Sequence, residues 1–189
     1  MIDLYHASYE IIEHPDVHYG RKNADFGQGF YTTDSLDFAR KWVRESPGKD
    51  IIISRYSLDE SSLKIKRFER NTEWFNYIFS NRRVKPDAYA EYDLIMGPVA
   101  NDTIYETFGI ITSGYLSDEE AMKLLLIGPM SQQIVLKSMK ATDNLKFISH
   151  EVLSKELIRE ASRQHAKDGE IYQSEFAKVM ESLETTENK

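Results

Sequence analysis

The 189-residue sequence contains no cysteine. Disulfide bonds, thiolate metal sites and a cysteine nucleophile are therefore excluded. No apolar run approaches the roughly 20 residues that a membrane-spanning helix needs. The opening residues Met1–Leu4 also lack the basic segment and long apolar run of a signal peptide. We therefore expect a cytoplasmic protein with no membrane partner.

Positive charge is also scarce, with 24 Lys and Arg against 31 Asp and Glu and a net charge of -7. A diffuse acidic surface does not attract phosphate backbones, which argues against a general nucleic-acid binder. Two local basic groups remain, and we interpret both as solvated surface. They are Lys64, Lys66, Arg67 and Arg70, and then Arg82, Arg83 and Lys85.

Three common catalytic signatures are missing as well. There is no phosphate-binding Gly-x-x-x-x-Gly-Lys-Ser/Thr loop. The five histidines show no metal-ligand spacing. No serine occupies a nucleophile elbow.

Strand and helix patterns alternate irregularly, which favours an α+β fold over a doubly wound sheet. We predict one domain over residues 1–153, and then a charged helix over residues 154–189 that packs on this domain and frays at its end. The predicted strands are Ile2–His6, Ile51–Tyr56, Leu63–Phe68, Tyr92–Met96, Gln132–Lys137 and one from Asn144. The other predicted helices run from Asp34 or Ser35 to about Glu45, from Asn71, from Asn101 or Asp102 to about Thr112, and from Asp118 to about Ile127, the last behind a capping box at Ser117–Glu120.

Two stretches near the N-terminus carry the functional signal. The first is His6-Ala7-Ser8 at a strand end, and the second is Asp25–Thr33, where Gly27 and Gly29 flank one polar residue before an aromatic strand. Glycines in this pattern permit a positive φ or a close backbone approach. A histidine and a tyrosine on neighbouring strands can line a cleft for a flat ligand.

These stretches resemble the nicotinamide-pocket signature of the ADP-ribosyltransferase superfamily, on its poly(ADP-ribose) polymerase and diphtheria-toxin side. The sequence is still more similar to an uncharacterised bacterial family placed with these transferases. That family shares the Asp-Phe-Gly-x-Gly-Phe-Tyr run and the segment Tyr92–Ala100. The resemblance covers about Leu4 to Ile148 and implies two packed, mostly antiparallel sheets around an NAD cleft, with helices outside.

The resemblance also implies roles for individual residues, with NAD as the ADP-ribose donor. Tyr31 is expected to stack on the nicotinamide ring, and the backbone of Ala7 to hold its carboxamide. His6 is expected to bond the adenosine ribose. Ser8, Phe26, Gly27 and Gly29 complete the pocket, and Arg21 is a candidate for a cofactor phosphate, with an ordinary surface arginine as the alternative.

Gln133 departs from the pattern of the transferring polymerases, which carry a glutamate at this third position. An amide can accept a hydrogen bond from a ribose hydroxyl but brings no negative charge. Strand alternation lets only one of Gln132 and Gln133 face the cleft, and we match Gln133. The missing acid puts chain elongation in doubt, whereas mono-transfer, NAD hydrolysis and NAD binding remain open.

We therefore predict a bacterial mono-ADP-ribosyltransferase whose catalytic residues are His6, Tyr31 and Gln133. Its acceptor is a protein side chain or a nucleic acid. The resemblance suggests a toxin-like or phage-defence role, with a small inhibitory partner protein. The alternatives are a non-catalytic module that binds NAD or another nucleotide, and an RNA 2′-phosphotransferase on the same fold.

Overall fold

The computed structural model of the chain describes residues 1–42, 44–100, 117, 120, 123–124, 127 and 131–187. The chain divides into two compact units. The first contains residues 1–99 and 131–162, and the second contains residues 100–130 and 163–189. The predicted boundary at residue 154 lies just before the last helix, Lys155–Glu187. The two units divide within that helix instead, after residue 162.

Within the described residues, the first unit contains seven strands in two sheets. Their order is β1-β3-β7 in one sheet and β2-β6-β5-β4 in the other, and every pairing is antiparallel except β4 with β5. The α+β prediction with mostly antiparallel sheets is therefore confirmed. The strands are β1 Ile2–Ser8, β2 Phe30–Thr32, β3 Ile52–Leu58, β4 Ile65–Arg67, β5 Leu94–Pro98, β6 Gln132–Leu136 and β7 Leu145–Val152.

Among the described residues there are four α-helices, and local caps start the first two. The Ser35 hydroxyl accepts a bond from the backbone N–H of Phe38 at 3.2 Å, and the Asn71 side chain accepts one from Trp74 at 3.0 Å. Both predicted starts are thus confirmed, although the first helix ends before the predicted Glu45. The helices are α1 Leu36–Trp42, α2 Thr72–Arg82, α3 Met139–Asp143 and α4 Lys155–Glu187, and a 3-10 turn covers Val17–Tyr19.

The core of the first unit lies between the inner faces of the two sheets. Leu4 and Tyr56 contribute from one sheet, and Phe30, Ile134 and Leu136 contribute from the other. Because side chains alternate along a strand, Tyr31 and Gln133 point away from this core, to the outer face of the second sheet.

The second unit contains a smaller cluster, in which Leu124, Ile127 and Tyr172 are buried. Phe176, Val179 and Met180 pack against them, so the predicted apolar stripe on the last helix is docked. The side chain of Leu183, residues 188–189 and the predicted helix from Asn101 or Asp102 lie outside the described residues.

The predicted capping box is present before this cluster. The Ser117 hydroxyl accepts from the Glu120 N–H at 3.3 Å, and the Glu120 carboxylate accepts from the Ser117 N–H at 2.8 Å. Most of the predicted helix that follows lies outside the described residues. No helix in the described part of the chain combines the length and apolarity needed to cross a bilayer.

One prediction about charge is wrong. Arg82 does not lie on a solvated surface, because its side chain is only 8% exposed and forms an ion pair with Asp25 at 2.6 Å. Its neighbours Arg83 and Lys85 are exposed, as predicted. The helical spacing that puts Trp74 and Tyr77 in the core also turns Arg82 inward, where only a carboxylate partner makes its burial tolerable.

Candidate functional site

The candidate site begins where strands β1 and β2 separate. A single bridge joins them, in which Tyr5 and Thr33 exchange backbone hydrogen bonds of 2.8 and 3.0 Å. The next pair along this antiparallel register would be Ala7 with Tyr31. Instead, the imidazole Nδ1 of His6 bonds the Tyr31 carbonyl oxygen at 2.6 Å. The His6 side chain thus replaces a ladder bond and opens a gap between the strands.

This bond determines the tautomer of His6. A carbonyl oxygen can only accept, so Nδ1 carries the proton and Nε2 keeps its lone pair. Burial lowers the pKa of His6, and the bond to the Tyr31 carbonyl only partly opposes this effect. Nε2 has no hydrogen-bond partner within the described residues. His6 therefore presents a neutral ring with one free acceptor nitrogen.

The backbone of Ala7 faces the same gap. The amide and carbonyl of Tyr5 point towards β2, and those of Ala7, two residues further along β1, point the same way. Both groups point away from the β1–β3 ladder, and outside that ladder neither group of Ala7 has a hydrogen bond within the described residues. The Ala7 methyl packs instead in a cluster with Ala39 and Ile53. An unpaired donor and acceptor therefore lie side by side in the gap, unobstructed by the methyl group.

Tyr31 is held by its hydroxyl group. The hydroxyl donates to the Gly27 carbonyl at 2.8 Å and accepts from the Phe26 N–H at 2.9 Å. Burial raises the pKa of Tyr31, and the charge of Asp25 raises it further. None of the described aromatic side chains packs on its ring. One edge of the ring is thus fixed while its faces lack an aromatic partner.

The glycine-rich loop is as constrained as its sequence predicted. Gly27 has a φ of 69°, and a Cβ there would lie 3.1 Å from the Lys137 ammonium. At Gly29 a Cβ would lie 2.6 Å from the Leu136 carbonyl oxygen. The first glycine supplies a left-handed conformation and the second a close approach to strand β6. Between them they place Tyr31 at a defined position on β2.

Gln133 lies on the same outer face as Tyr31. Tyr31 is opposite Val135 in the β2–β6 register, and Gln133 is two residues from Val135. Gln133 is 2% exposed, whereas Gln132 is exposed. The two side chains therefore point to opposite faces of the sheet, as alternation along a strand predicts. Its amide Nε2 donates to Asp25 Oδ2 at 3.3 Å and to the Pro98 carbonyl at 3.4 Å.

Sequence reasoning missed a network of charges behind this face. Asp25 pairs with Arg82, and the Lys137 ammonium pairs with Asp87 at 3.0 Å while it also donates to the Phe26 carbonyl. The Lys137 side chain is 6% exposed, and burial lowers its pKa. Of the charged residues in this network, Asp25 is the one that belongs to a functional motif in the sequence, because it begins the glycine-rich run. Lys137 and Asp87 carry no local pattern that would reveal their pairing.

A family model described as "Protein of unknown function (DUF3990)" matches residues 2–147. The chain belongs to the DUF3990 family. The matched region contains both N-terminal motif stretches and Gln133, and it ends before α4 begins. No curated protein matches the sequence significantly.

Two further predicted residues of the DUF3990 chain lie at the edge of this arrangement. The Ser8 hydroxyl donates to the Glu10 carbonyl at 2.6 Å, which shapes the turn that leaves β1. Arg21 is exposed, yet its charge is close enough to Tyr31 to lower the pKa of the tyrosine, against the stronger effect of burial. Arg21 is thus near the site, whereas Ser8 is committed to a local turn.

The candidate site therefore combines four kinds of group. They are the backbone pair of Ala7, the imidazole of His6, the ring of Tyr31 and the amide of Gln133. Across the described residues there is no cluster of three or more His, Asp or Glu side chains with metal-binding geometry. The arrangement is suited to binding a flat polar ring by hydrogen bonds and stacking.

Proposed function

We propose that this DUF3990 protein is a mono-ADP-ribosyltransferase that uses NAD as the ADP-ribose donor. The backbone of Ala7 carries the proposal. Its unpaired N–H and C=O match the oxygen and the NH₂ of a primary carboxamide, the group that nicotinamide bears. An ADP-ribosyltransferase-like fold, with the NAD cleft at the β1–β2 junction, is part of this proposal.

Tyr31 supports the same ligand, because its ring can stack on nicotinamide. Nicotinamide in NAD is a pyridinium cation, and stacking it on an aromatic face contributes ~0.5–2 kcal/mol. The hydroxyl bonds to the Phe26–Gly27 loop hold the tyrosine ring before a ligand arrives. A pre-ordered ring loses little side-chain entropy on binding.

His6 and Gln133 supply acceptors for ribose hydroxyls. The free Nε2 of His6 is assigned to the adenosine ribose, and Oε1 of Gln133 to the 2′-hydroxyl of the nicotinamide ribose. In the reaction, the bond from ribose C1′ to the nicotinamide nitrogen breaks, and its electron pair leaves with nicotinamide. The acceptor atom then bonds to C1′ and loses a proton to solvent.

The neutral amide of Gln133 limits what the site can do. The transition state has oxocarbenium character, and an amide stabilises that positive charge less than a carboxylate does. We therefore propose single transfer to a protein or nucleic-acid acceptor rather than chain elongation. Arg21 is assigned to a cofactor phosphate, and the reaction to the cytoplasm. A toxin-like role and an inhibitory partner protein rest on the resemblance alone.

A second candidate function is an NAD-binding module without catalysis. The same observation at Gln133 favours it, because no carboxylate replaces the expected acid at this position. The two candidates share the binding site and differ in whether nicotinamide is released.

The first experiment measures binding by thermal unfolding with excess NAD, nicotinamide or ADP-ribose. A ligand at a hundred times its dissociation constant stabilises the folded state by about 2.7 kcal/mol. We expect NAD to raise the melting temperature. No shift with any of the three ligands at millimolar concentration would contradict both candidates.

The second experiment measures nicotinamide release, with and without cell lysate as the source of acceptor. Gln133→Ala removes the ribose acceptor and is expected to lower turnover by roughly ten- to a hundredfold. Gln132→Ala is the matched control, since Gln132 is exposed on the opposite face. A larger loss for Gln132→Ala would refute the assigned register. Binding of NAD without release by the wild type would favour the non-catalytic module.

A further inference from the structure

The orientation of the Gln133 amide is set by two acceptors. Nε2 donates one hydrogen to Asp25 Oδ2 at 3.3 Å and the other to the Pro98 carbonyl at 3.4 Å. Reversing the amide would put its oxygen against a carboxylate and a carbonyl, which both repel it. Oε1 is therefore turned away from both partners, and it accepts no hydrogen bond within the described residues.

Asp25 is itself held rigidly. Oδ1 accepts a hydrogen bond from Arg82 Nε at 2.7 Å and forms an ion pair with a terminal nitrogen of the same guanidinium at 2.6 Å. The Asn81 amide donates to the Asp25 backbone carbonyl at 3.1 Å. The side chains of Asp25 and Arg82 are only 14% and 8% exposed, so solvent screens this pair little.

The two oxygens of Asp25 therefore have separate partners. Oδ1 belongs to Arg82, and Oδ2 is left for Gln133. The guanidinium compensates the charge of Asp25, so the carboxylate acts on Gln133 mainly as an oriented acceptor and contributes little net field at the site.

We infer that Asp25 is a positioning residue that acts through Gln133, by fixing the amide so that Oε1 presents its lone pairs on the Tyr31 face. This inference rests on the proposed function and deepens it. A glutamine without this partner could rotate its amide, and the ribose hydroxyl would then meet a donor instead of an acceptor for part of the time. Asp25 would thus influence turnover more than NAD binding.

The kinetic test is a cycle of Asp25→Asn, Gln133→Ala and the double variant, measured by nicotinamide release. We expect Asp25→Asn to lower kcat by about tenfold with KM for NAD changed less than about twofold. In the Gln133→Ala background the same change should alter kcat less than about twofold, because the residue it acts through is gone. Equal factors in both backgrounds would overturn the inference in favour of a general structural role.

Asp25→Asn leaves the buried Arg82 without its carboxylate and can unfold the chain. The variant Asp25→Leu with Arg82→Met removes both charges together with the acceptor for Gln133, and it replaces them with apolar side chains of similar size. It is expected to show the same kcat loss at a melting temperature close to that of the wild type. Full activity in this folded double variant would also overturn the inference.

A readout independent of NAD separates this inference from the proposed function. The side-chain ¹⁵N–¹H signals of Gln133, assigned by their loss in Gln133→Ala, should show slow solvent exchange in the wild type and fast exchange in the charge-free double variant. Free-amide behaviour of Gln133 in the wild type would overturn the positioning role. Slow exchange in a protein that never releases nicotinamide would support the positioning role and contradict the proposed activity.

Discussion

Replacing Tyr31 with phenylalanine removes one oxygen atom and two hydrogen bonds. The hydroxyl donates to the Gly27 carbonyl at 2.8 Å and accepts from the Phe26 N–H at 2.9 Å. Phe26 is fully buried, and Gly27 is buried as well. The change therefore leaves two backbone groups without a partner in a region with little access to water.

The expected loss follows from these two bonds. Each hydrogen bond contributes about 0.5–1.5 kcal/mol net, and an unsatisfied buried group costs ~1–3 kcal/mol. Partial hydration of the loosened loop recovers some of this, so we expect Tyr31→Phe to lower the free energy of unfolding by about 2 kcal/mol. For a chain of this size, that corresponds to a fall of roughly 4–8 °C in melting temperature.

Urea denaturation of the purified variant measures this loss. Tyr5→Phe is a matched control, because Tyr5 is also a half-buried strand tyrosine and its hydroxyl makes no hydrogen bond within the described residues. Tyr31→Phe keeps the stacking face of the ring, so NAD affinity should fall only as far as the loop loosens. Tyr31→Ala also removes the ring and should weaken NAD binding by about 1–2 kcal/mol more. Equal unfolding free energies for Tyr31→Phe and Tyr5→Phe would refute the anchoring role of the hydroxyl.

Two further predictions concern pH and packing. Burial lowers the folded-state pKa of His6 below its unfolded value of 6.5, so stability should decline as pH falls from 6.5 towards the folded value. The His6→Asn variant keeps a donor for the Tyr31 carbonyl but has no titrating group at this position. Its free energy of unfolding, measured across acid pH, should therefore depend less on pH than that of the wild type, and an equal dependence would contradict the prediction. Gly20→Ala places a Cβ 2.1 Å from the Gly29 carbonyl oxygen and should cost ~1–3 kcal/mol in thermal unfolding. Gly169 lies in a helix, and a Cβ there would have no atom within 4 Å, so Gly169→Ala should stabilise the folded state by ~0.5–1 kcal/mol. Similar effects of the two substitutions would refute the difference in packing between Gly20 and Gly169.

Features that depend on a few neighbouring residues could be read from the sequence. Ser35 and Asn71 cap helices because their side-chain oxygens reach N–H groups three residues away. Gln132 and Gln133 point to opposite faces because side chains alternate along any strand. The glycine spacing predicted a constrained loop, and Gly27 indeed has a positive φ.

Partnerships between distant segments were decided by the tertiary structure. The bond from His6 to the Tyr31 carbonyl joins residues 25 positions apart, and the contact of Gln133 with Asp25 spans 108 positions. Arginine is usually a surface residue, but Arg82 lies in a buried ion pair because packing turns its face of the helix inward. Local sequence determines which conformations and caps a segment prefers, whereas the partner of a buried polar group depends on which segments the fold brings together.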